Sequence, residues 1–240
     1  MLEKELQQLI PAKNIELFNT YTQYLNLLHK HFTNKKIDKQ IRFEQISLLE
    51  RAIRKDFPLK NNIIARLQKM FVAENLSLYL LLDPLIAWRY LANDKIIKTE
   101  KQAADVVGYL SSPSARLIMV LNNETPSSYL AMTSLISLLY FRKIFTDKTF
   151  IPYAVKWGNK RKSEYLRGLL KNSVVLLQIV NSKSLKFRLA LLFNRLRIQI
   201  DNEQNNKQLT IGLLDWLKIL VYSIFQFVTI RHRTVSKKEI

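Results

Sequence analysis

The stretch Ser134–Pro152, SLISLLYFRKIFTDKTFIP, decides how this chain folds. Leu135, Ile136, Leu138, Leu139, Tyr140 and Phe141 follow one another so closely that, at 3.6 residues per turn, they cover nearly every side of a helix. A helix without a polar side is expected at the centre of a bundle, enclosed by others. Thr125 and Pro126 supply its start, a hydroxyl cap followed by a proline at the first helical position. The spacing therefore predicts a central helix over 126–146.

Working outward, apolar residues recur at intervals of three and four rather than alternating, and only four glycines and six prolines interrupt them. The pattern reads as almost entirely helical, with helices at 14–33, 37–56, 59–73, 76–92, 100–111, 113–122, 126–146, 160–181, 184–203 and 209–230. Thr99 with Gln102 forms a capping-box pattern at one start. Pro58, Pro84 and Pro152 are expected to break or kink their segments, because proline donates no amide hydrogen and crowds the preceding turn. Asn202 to Gln208 is the most polar loop. No internal repeat or long linker divides the 240 residues, and 48% hydrophobic content suits one all-α domain with a continuous core.

Composition removes several chemistries. Without cysteine there are no disulfides, thiolate zinc sites or cysteine nucleophiles. Four scattered glycines cannot build a G-x-G-x-x-G loop, a P-loop or a G-x-S-x-G elbow. His29 and His31 are two apart, the wrong spacing for a helical metal pair, and read as a solvated face; His232 lies in a basic tail. No two acidic residues stand three or four apart, so no helix face offers a carboxylate pair to a metal.

Thirty-eight Lys and Arg against nineteen Asp and Glu give a formal charge of +19. Such an excess attracts phosphates, nucleic acid or anionic lipid. It also fits an AT-rich coding sequence, since Lys, Asn and Ile are abundant throughout. The basic run Lys156, Lys160, Arg161, Lys162, Arg167 and Lys171, continued by Lys183, Lys186, Arg188, Arg195 and Arg197, is by default a solvated helix face. If it collects on one side, anionic lipid or a prenyl diphosphate suits it better than nucleic acid, because aromatic residues are too sparse among the charges for a stacking platform.

The beginning, MLEKELQQLIP, lacks a basic segment before an apolar run, which argues against a secretory signal and makes a cytoplasmic location the expectation. The longest uncharged run, Thr125 to Phe141, has 17 residues, seven of them Ser, Thr or Pro, and is too short and polar for a span of about 20 apolar residues. The last apolar segment, Leu213 to Ile230, precedes Arg231, His232, Arg233, Lys237 and Lys238. It reads first as the closing helix of the bundle, and can at the same time be a membrane-docking helix with a polybasic flank, which would place the chain peripherally on the inner membrane face.

Two stretches together resemble the central part of squalene/phytoene synthases. Tyr109 to Leu117, YLSSPSARL, is similar to the family's Y-C-x-x-S-A-x-P-V-G-R-L, shorter by about three residues, with the order Tyr, Ser, Pro, Arg, Leu retained. The family's later A-L-Q-x-x-N-x-x-x-D-x-x-x-D helix and its R-x-Y-L-P turn align with 134–152. Ser134 falls at the Gln place, Ser137 at the Asn place, Phe141 and Phe145 at the two Asp places, and Lys148, Thr149, Phe150, Ile151 and Pro152 follow. Leu82 to Lys98, Lys186 to Ile200 and Arg233 to Lys238 add weaker likeness, so the resemblance covers residues 76–240 and leaves 1–75 as divergent helices.

The resemblance implies an isoprenoid-synthase-type helical bundle. It also implies Mg2+ in active members, whose paired carboxylates hold the metal against a diphosphate leaving group. Here both Asp-rich motifs are lacking, so no metal ligands are assigned and no cofactor is expected. Tyr109 is the one candidate catalytic group, a phenol at the reacting centre, and Arg116, Ser134, Ser137, Phe141, Phe145 and Lys148 are candidate ligand-binding residues. Ahead of those roles, Tyr109 and Arg116 read as a core tyrosine with a satisfied hydroxyl and an arginine that caps or bridges helices. The expected function is that of a non-catalytic prenyltransferase relative binding an isoprenoid, an anionic lipid or a protein partner, as an assembly factor does. The alternatives are residual prenyl-diphosphate transfer and a basic nucleic-acid-binding module.

Overall fold

The computed structural model describes residues 3–32, 34, 36–54, 62–92, 99–146, 157–204, 217 and 219–224. Its elements are helices α1 (Glu3–Gln7), α2 (Ile15–Phe32), α3 (Lys39–Ile53), α4 (Asn62–Ala73), α5 (Tyr79–Ala92), α6 (Glu100–Leu121), α7 (Tyr129–Thr146), α8 (Asn159–Val174), α9 (Leu176–Ile179) and α10 (Lys183–Gln204), with 3-10 turns at Ala12–Asn14 and Pro126–Ser128. Residues 217 and 219–224 are also helical. Among the described residues the architecture is all-α, without a strand.

The centre is α7. Leu135 through Phe141, seven residues in succession, are buried, which only a helix covered on all sides can achieve. It packs between α6 and α8; α6 leans on α5, α5 on α2 and α3, and α8 on α10. One hydrophobic core runs through these layers from Leu6 to Ile200. The N-terminal residues are tied to it by polar bonds. Asn14 Nδ2 donates to the Leu121 carbonyl at 3.2 Å, Asn122 Nδ2 to the Leu9 carbonyl at 3.0 Å, and Arg188 Nη1 to the Ile10 carbonyl at 3.0 Å.

Two prolines sit inside helices. Pro84 in α5 has no amide hydrogen for the Leu80 carbonyl one turn back, and its ring crowds that turn. Two buried tyrosines of α2 answer this: Tyr21 Oη donates to the Leu80 carbonyl at 3.4 Å and Tyr24 Oη to the Leu81 carbonyl at 2.6 Å. Pro113 lies in α6, which runs unbroken where the periodicity predicts separate helices at 100–111 and 113–122. Leu110, Ser111, Ser114 and Ala115 on either side of it are buried, so packing outweighs the roughly 3 kcal/mol that an interior proline costs.

Other boundaries also moved. The segment predicted over 160–181 divides at Val175 into α8 and α9, with Ser173 Oγ bonding back to the Leu169 carbonyl at 2.6 Å in the last turn. Residues 202–204 of the expected polar loop belong to α10. The Thr99 capping box forms as expected, both bonds at 3.2 Å. Thr125 does not cap: its hydroxyl pairs with Ser127 Oγ at 2.7 Å, and a 3-10 turn precedes α7. His29 and His31 are half-buried rather than solvated, His29 5.6 Å from the Trp88 ring and His31 bonded to Gln45. Pro58 and Pro152 lie outside the described residues.

A far-reaching cap starts α10. The amides of Asn181 and Ser182 each donate to the Glu124 carboxylate at 2.8 Å, placing a negative charge at the helix's positive end.

Tyr24→Phe removes the donor from the Leu81 carbonyl and is expected to cost about 1–3 kcal/mol in urea unfolding, with unchanged helical circular dichroism. Burial also pushes the hydroxyls of Tyr21, Tyr24 and Tyr140 above the ordinary phenol value of 10.0. Above that pH the unfolded chain releases protons that the folded one keeps, so stability is full below 10.0 and falls as pH rises beyond it. The phenolate absorbance of these three is expected to appear only as helical circular dichroism collapses.

Candidate functional site

Ser137 and Phe141 project from α7 one turn apart, with Phe145 another turn on. Ser137 is buried and shares a 2.8 Å hydrogen bond with Ser111 of α6. Without that partner its hydroxyl would be stranded in an apolar layer, so the pair fixes the register of α7 on α6. Ser134 lies partly exposed and returns its hydroxyl to the Leu130 carbonyl at 3.1 Å, a local bond that faces no ligand.

The phenylalanines enter a four-ring cluster. Phe141, 2% exposed, stands 5.8 Å from Phe145, 6.3 Å from Trp157 in a stacked arrangement and 4.8 Å from Tyr165 edge-on. Trp157 lies 5.3 Å from Phe145 and 5.1 Å from Tyr165. These separations are those of packed aromatic pairs. Cations roof the cluster: the Arg161 guanidinium is 5.2 Å from the Trp157 ring centre and Lys162 Nζ 5.6 Å from that of Phe145. Glu100 at the start of α6 holds Arg161 at 2.8 Å. Burial, followed by the Glu100 charge, pushes the Tyr165 hydroxyl upward, keeping it protonated.

Two aspartates in place of these phenylalanines would draw divalent metal. The positions carry instead an apolar plug covered by positive charge, which repels a divalent cation. Among the described residues no group of three or more His, Asp or Glu could hold a metal ion.

Tyr109 and Arg116 stand elsewhere, two turns apart on the outer side of α6. Tyr109 is 46% exposed, which corrects the reading of it as a core tyrosine. Arg116 is exposed and lies 5.0 Å from the Tyr129 ring centre at the start of α7, and Tyr129 Oη bonds Ser112. Asp83 of α5 belongs to the same neighbourhood: burial pushes its carboxyl upward, and Arg116 opposes that shift by favouring the charge. A single carboxylate near one arginine is no magnesium cradle, which takes several oxygen ligands.

The predicted site residues thus divide. Ser137, Phe141 and Phe145 share the buried side, Tyr109 and Arg116 the outer side of α6, and Lys148 lies outside the described residues. Trp157, Tyr165 and Asp83 complete these clusters. Trp157 and Tyr165 could be found only by asking which rings pack on Phe141, and Asp83 only by pairing α5 with α6.

Several members of the basic run are engaged within the bundle. Arg167 pairs with Asp201 at 2.8 Å, Arg161 with Glu100, and Arg188 with backbone carbonyls, while burial lowers the affinity of Arg188 for its proton. Between α8 and α10 a groove of about 490 Å3 has an apolar floor, Leu170, Val174 and Ile200, and a charged rim, Arg167, Lys171, Arg197 and Asp201.

No family model matches the chain, and no curated protein or solved structure matches it.

Replacing Phe141 by Ala opens a hole at the centre of the ring cluster and is expected to cost about 3–5 kcal/mol in chemical denaturation. Phe141→Asp is expected to cost more, because its carboxylate would be buried beside three rings. Lys162→Ala removes only a partly exposed cation–π contact and is expected to cost under about 1 kcal/mol.

Proposed function

We propose that this chain is a non-catalytic helical protein of isoprenoid-synthase type, related to the squalene/phytoene synthases it resembles, that works by binding rather than turnover. The observation that carries this reading is the ring cluster of Phe141, Phe145, Trp157 and Tyr165 under Arg161 and Lys162. Ionising an allylic diphosphate needs a metal to take up the leaving charge, an assistance worth several kcal/mol, and each ~1.4 kcal/mol lost slows the step about ten-fold. An apolar plug roofed by cations supplies neither metal ligands nor room for the diphosphate at that place.

Rings packed at Phe141 favour a protein partner over an isoprenoid held at that place, with the molecule acting as a scaffold in the manner of an assembly factor. Among the described residues no helix is long and apolar enough to cross a membrane. The excess of 38 basic over 19 acidic residues favours peripheral contact with the anionic inner face.

Residual prenyl transfer, with Tyr109 at the reacting centre and basic side chains replacing metal, is the rival. Incubation with farnesyl or geranylgeranyl diphosphate, with and without Mg2+, is expected to release no pyrophosphate and to form neither squalene nor phytoene. Turnover that Tyr109→Phe abolishes would establish the rival instead.

A further inference from the structure

The helical residues at 217 and 219–224 divide sharply between two sides. Ile219 and Ser223, one turn apart, are buried, and Ser223 Oγ accepts a hydrogen bond from Asn194 Nδ2 of α10 at 3.0 Å and donates to the Ile219 carbonyl. Leu217, Leu220, Val221 and Ile224, spaced as i, i+3, i+4 and i+7, form one stripe. All are exposed: Leu217 50%, Leu220 39%, Val221 62% and Ile224 48%, with Tyr222 beside them at 60%. Scattered surface leucines need no explanation, but a continuous stripe on a helix anchored by its opposite side does.

The charge around the stripe indicates its occupant. Asn194 and Asp201 are seven residues apart and lie nearly on one line along α10, with Arg197 between them. Arg197 of the groove rim therefore lies about one turn along α10 from the Asn194 that seats this helix. There Lys171 and Arg197 are exposed beside the Arg167–Asp201 pair. Beyond residue 224 the sequence adds Arg231, Arg233, Lys237 and Lys238. Apolar side chains flanked by cations suit the boundary between acyl chains and anionic headgroups, where the apolar stripe enters and the charges remain at the phosphates.

We propose that the stripe of Leu217, Leu220, Val221 and Ile224, with the exposed Lys171 and Arg197 of the groove next to the α10 residue that seats it, docks this protein on an anionic lipid bilayer. This deepens the peripheral-membrane part of the proposed function by naming the surface, and it does not depend on whether the ring cluster turns over substrate.

The test is co-sedimentation of the full chain with vesicles of about three parts phosphatidylcholine to one of phosphatidylglycerol, at about 0.1 M salt, against phosphatidylcholine alone. Binding is expected to the anionic vesicles and to be much weaker to the neutral ones. Leu220→Glu with Val221→Glu is expected to weaken it about ten-fold or more, since two apolar side chains no longer leave water. Lys171→Gln with Arg197→Gln is expected to weaken it about five-fold per charge and to shrink the preference for anionic lipid. These charge variants sit on exposed positions and keep the test decisive if the first pair fails to fold, which circular dichroism reports. No binding to anionic vesicles, equal binding to neutral ones, or variants that bind like the parent would overturn the proposal. So would a stable dimer in solution that Leu220→Glu with Val221→Glu dissolves, because the stripe would then belong to a second copy. The pyrophosphate assay is indifferent to all of these outcomes, so the two ideas fail separately.

Discussion

The burial of α7 on every side governs the other elements. A helix with no face toward water can keep no polar side chain that lacks a partner, and it needs neighbours all round before its core exists. Ser137 meets the first demand through Ser111, a bond that sets α7 against α6. Helices α6 and α8 meet the second directly, while α5 and α10 support them from behind. Because the bundle is built outward from α7, its polar bonds concentrate where chain ends and helix ends must be fastened. Glu124 holds the start of α10, and Arg188 and Asn122 hold the N-terminal turn.

The second layer depends on a helix that would otherwise be defective. Pro84 leaves α5 short of a donor, and Tyr21 and Tyr24 supply hydroxyls from α2. That turn thereby becomes a docking point, since Tyr21 finds in the Leu80 carbonyl an acceptor that a helix without proline would have consumed internally. That exchange joins the first thirty residues to α5, and through α5 to α6 and α7.

How far these features were readable beforehand follows from their range in the chain. The enclosure of α7 is written in consecutive residues, and the capping box at Thr99 needs only four, so both emerged from pattern alone. Pro113 inside α6 did not, because the burial that offsets its cost comes from α5 and α7. Thr125 misled for the opposite reason: its hydroxyl had a nearer partner in Ser127. In the candidate site, the identities of Phe141 and Phe145 already argued against metal. Their companions Trp157 and Tyr165 are separated from them by sequence that gives no sign of the contact. The outward placement of Tyr109 was equally hidden, since a tyrosine at that spacing serves a core as well as a surface.

The ring cluster also restricts where substitution can go. A lone carboxylate at position 141 would sit buried among three rings, an arrangement that desolvation penalises heavily. Only the simultaneous arrival of a second carboxylate, a bound ion and space for both would make it tolerable. Single-step change therefore meets a barrier in that direction and little resistance toward other apolar residues of similar size. The interior of this bundle behaves as a ratchet, free to drift among hydrocarbon side chains and blocked from acquiring a metal one residue at a time.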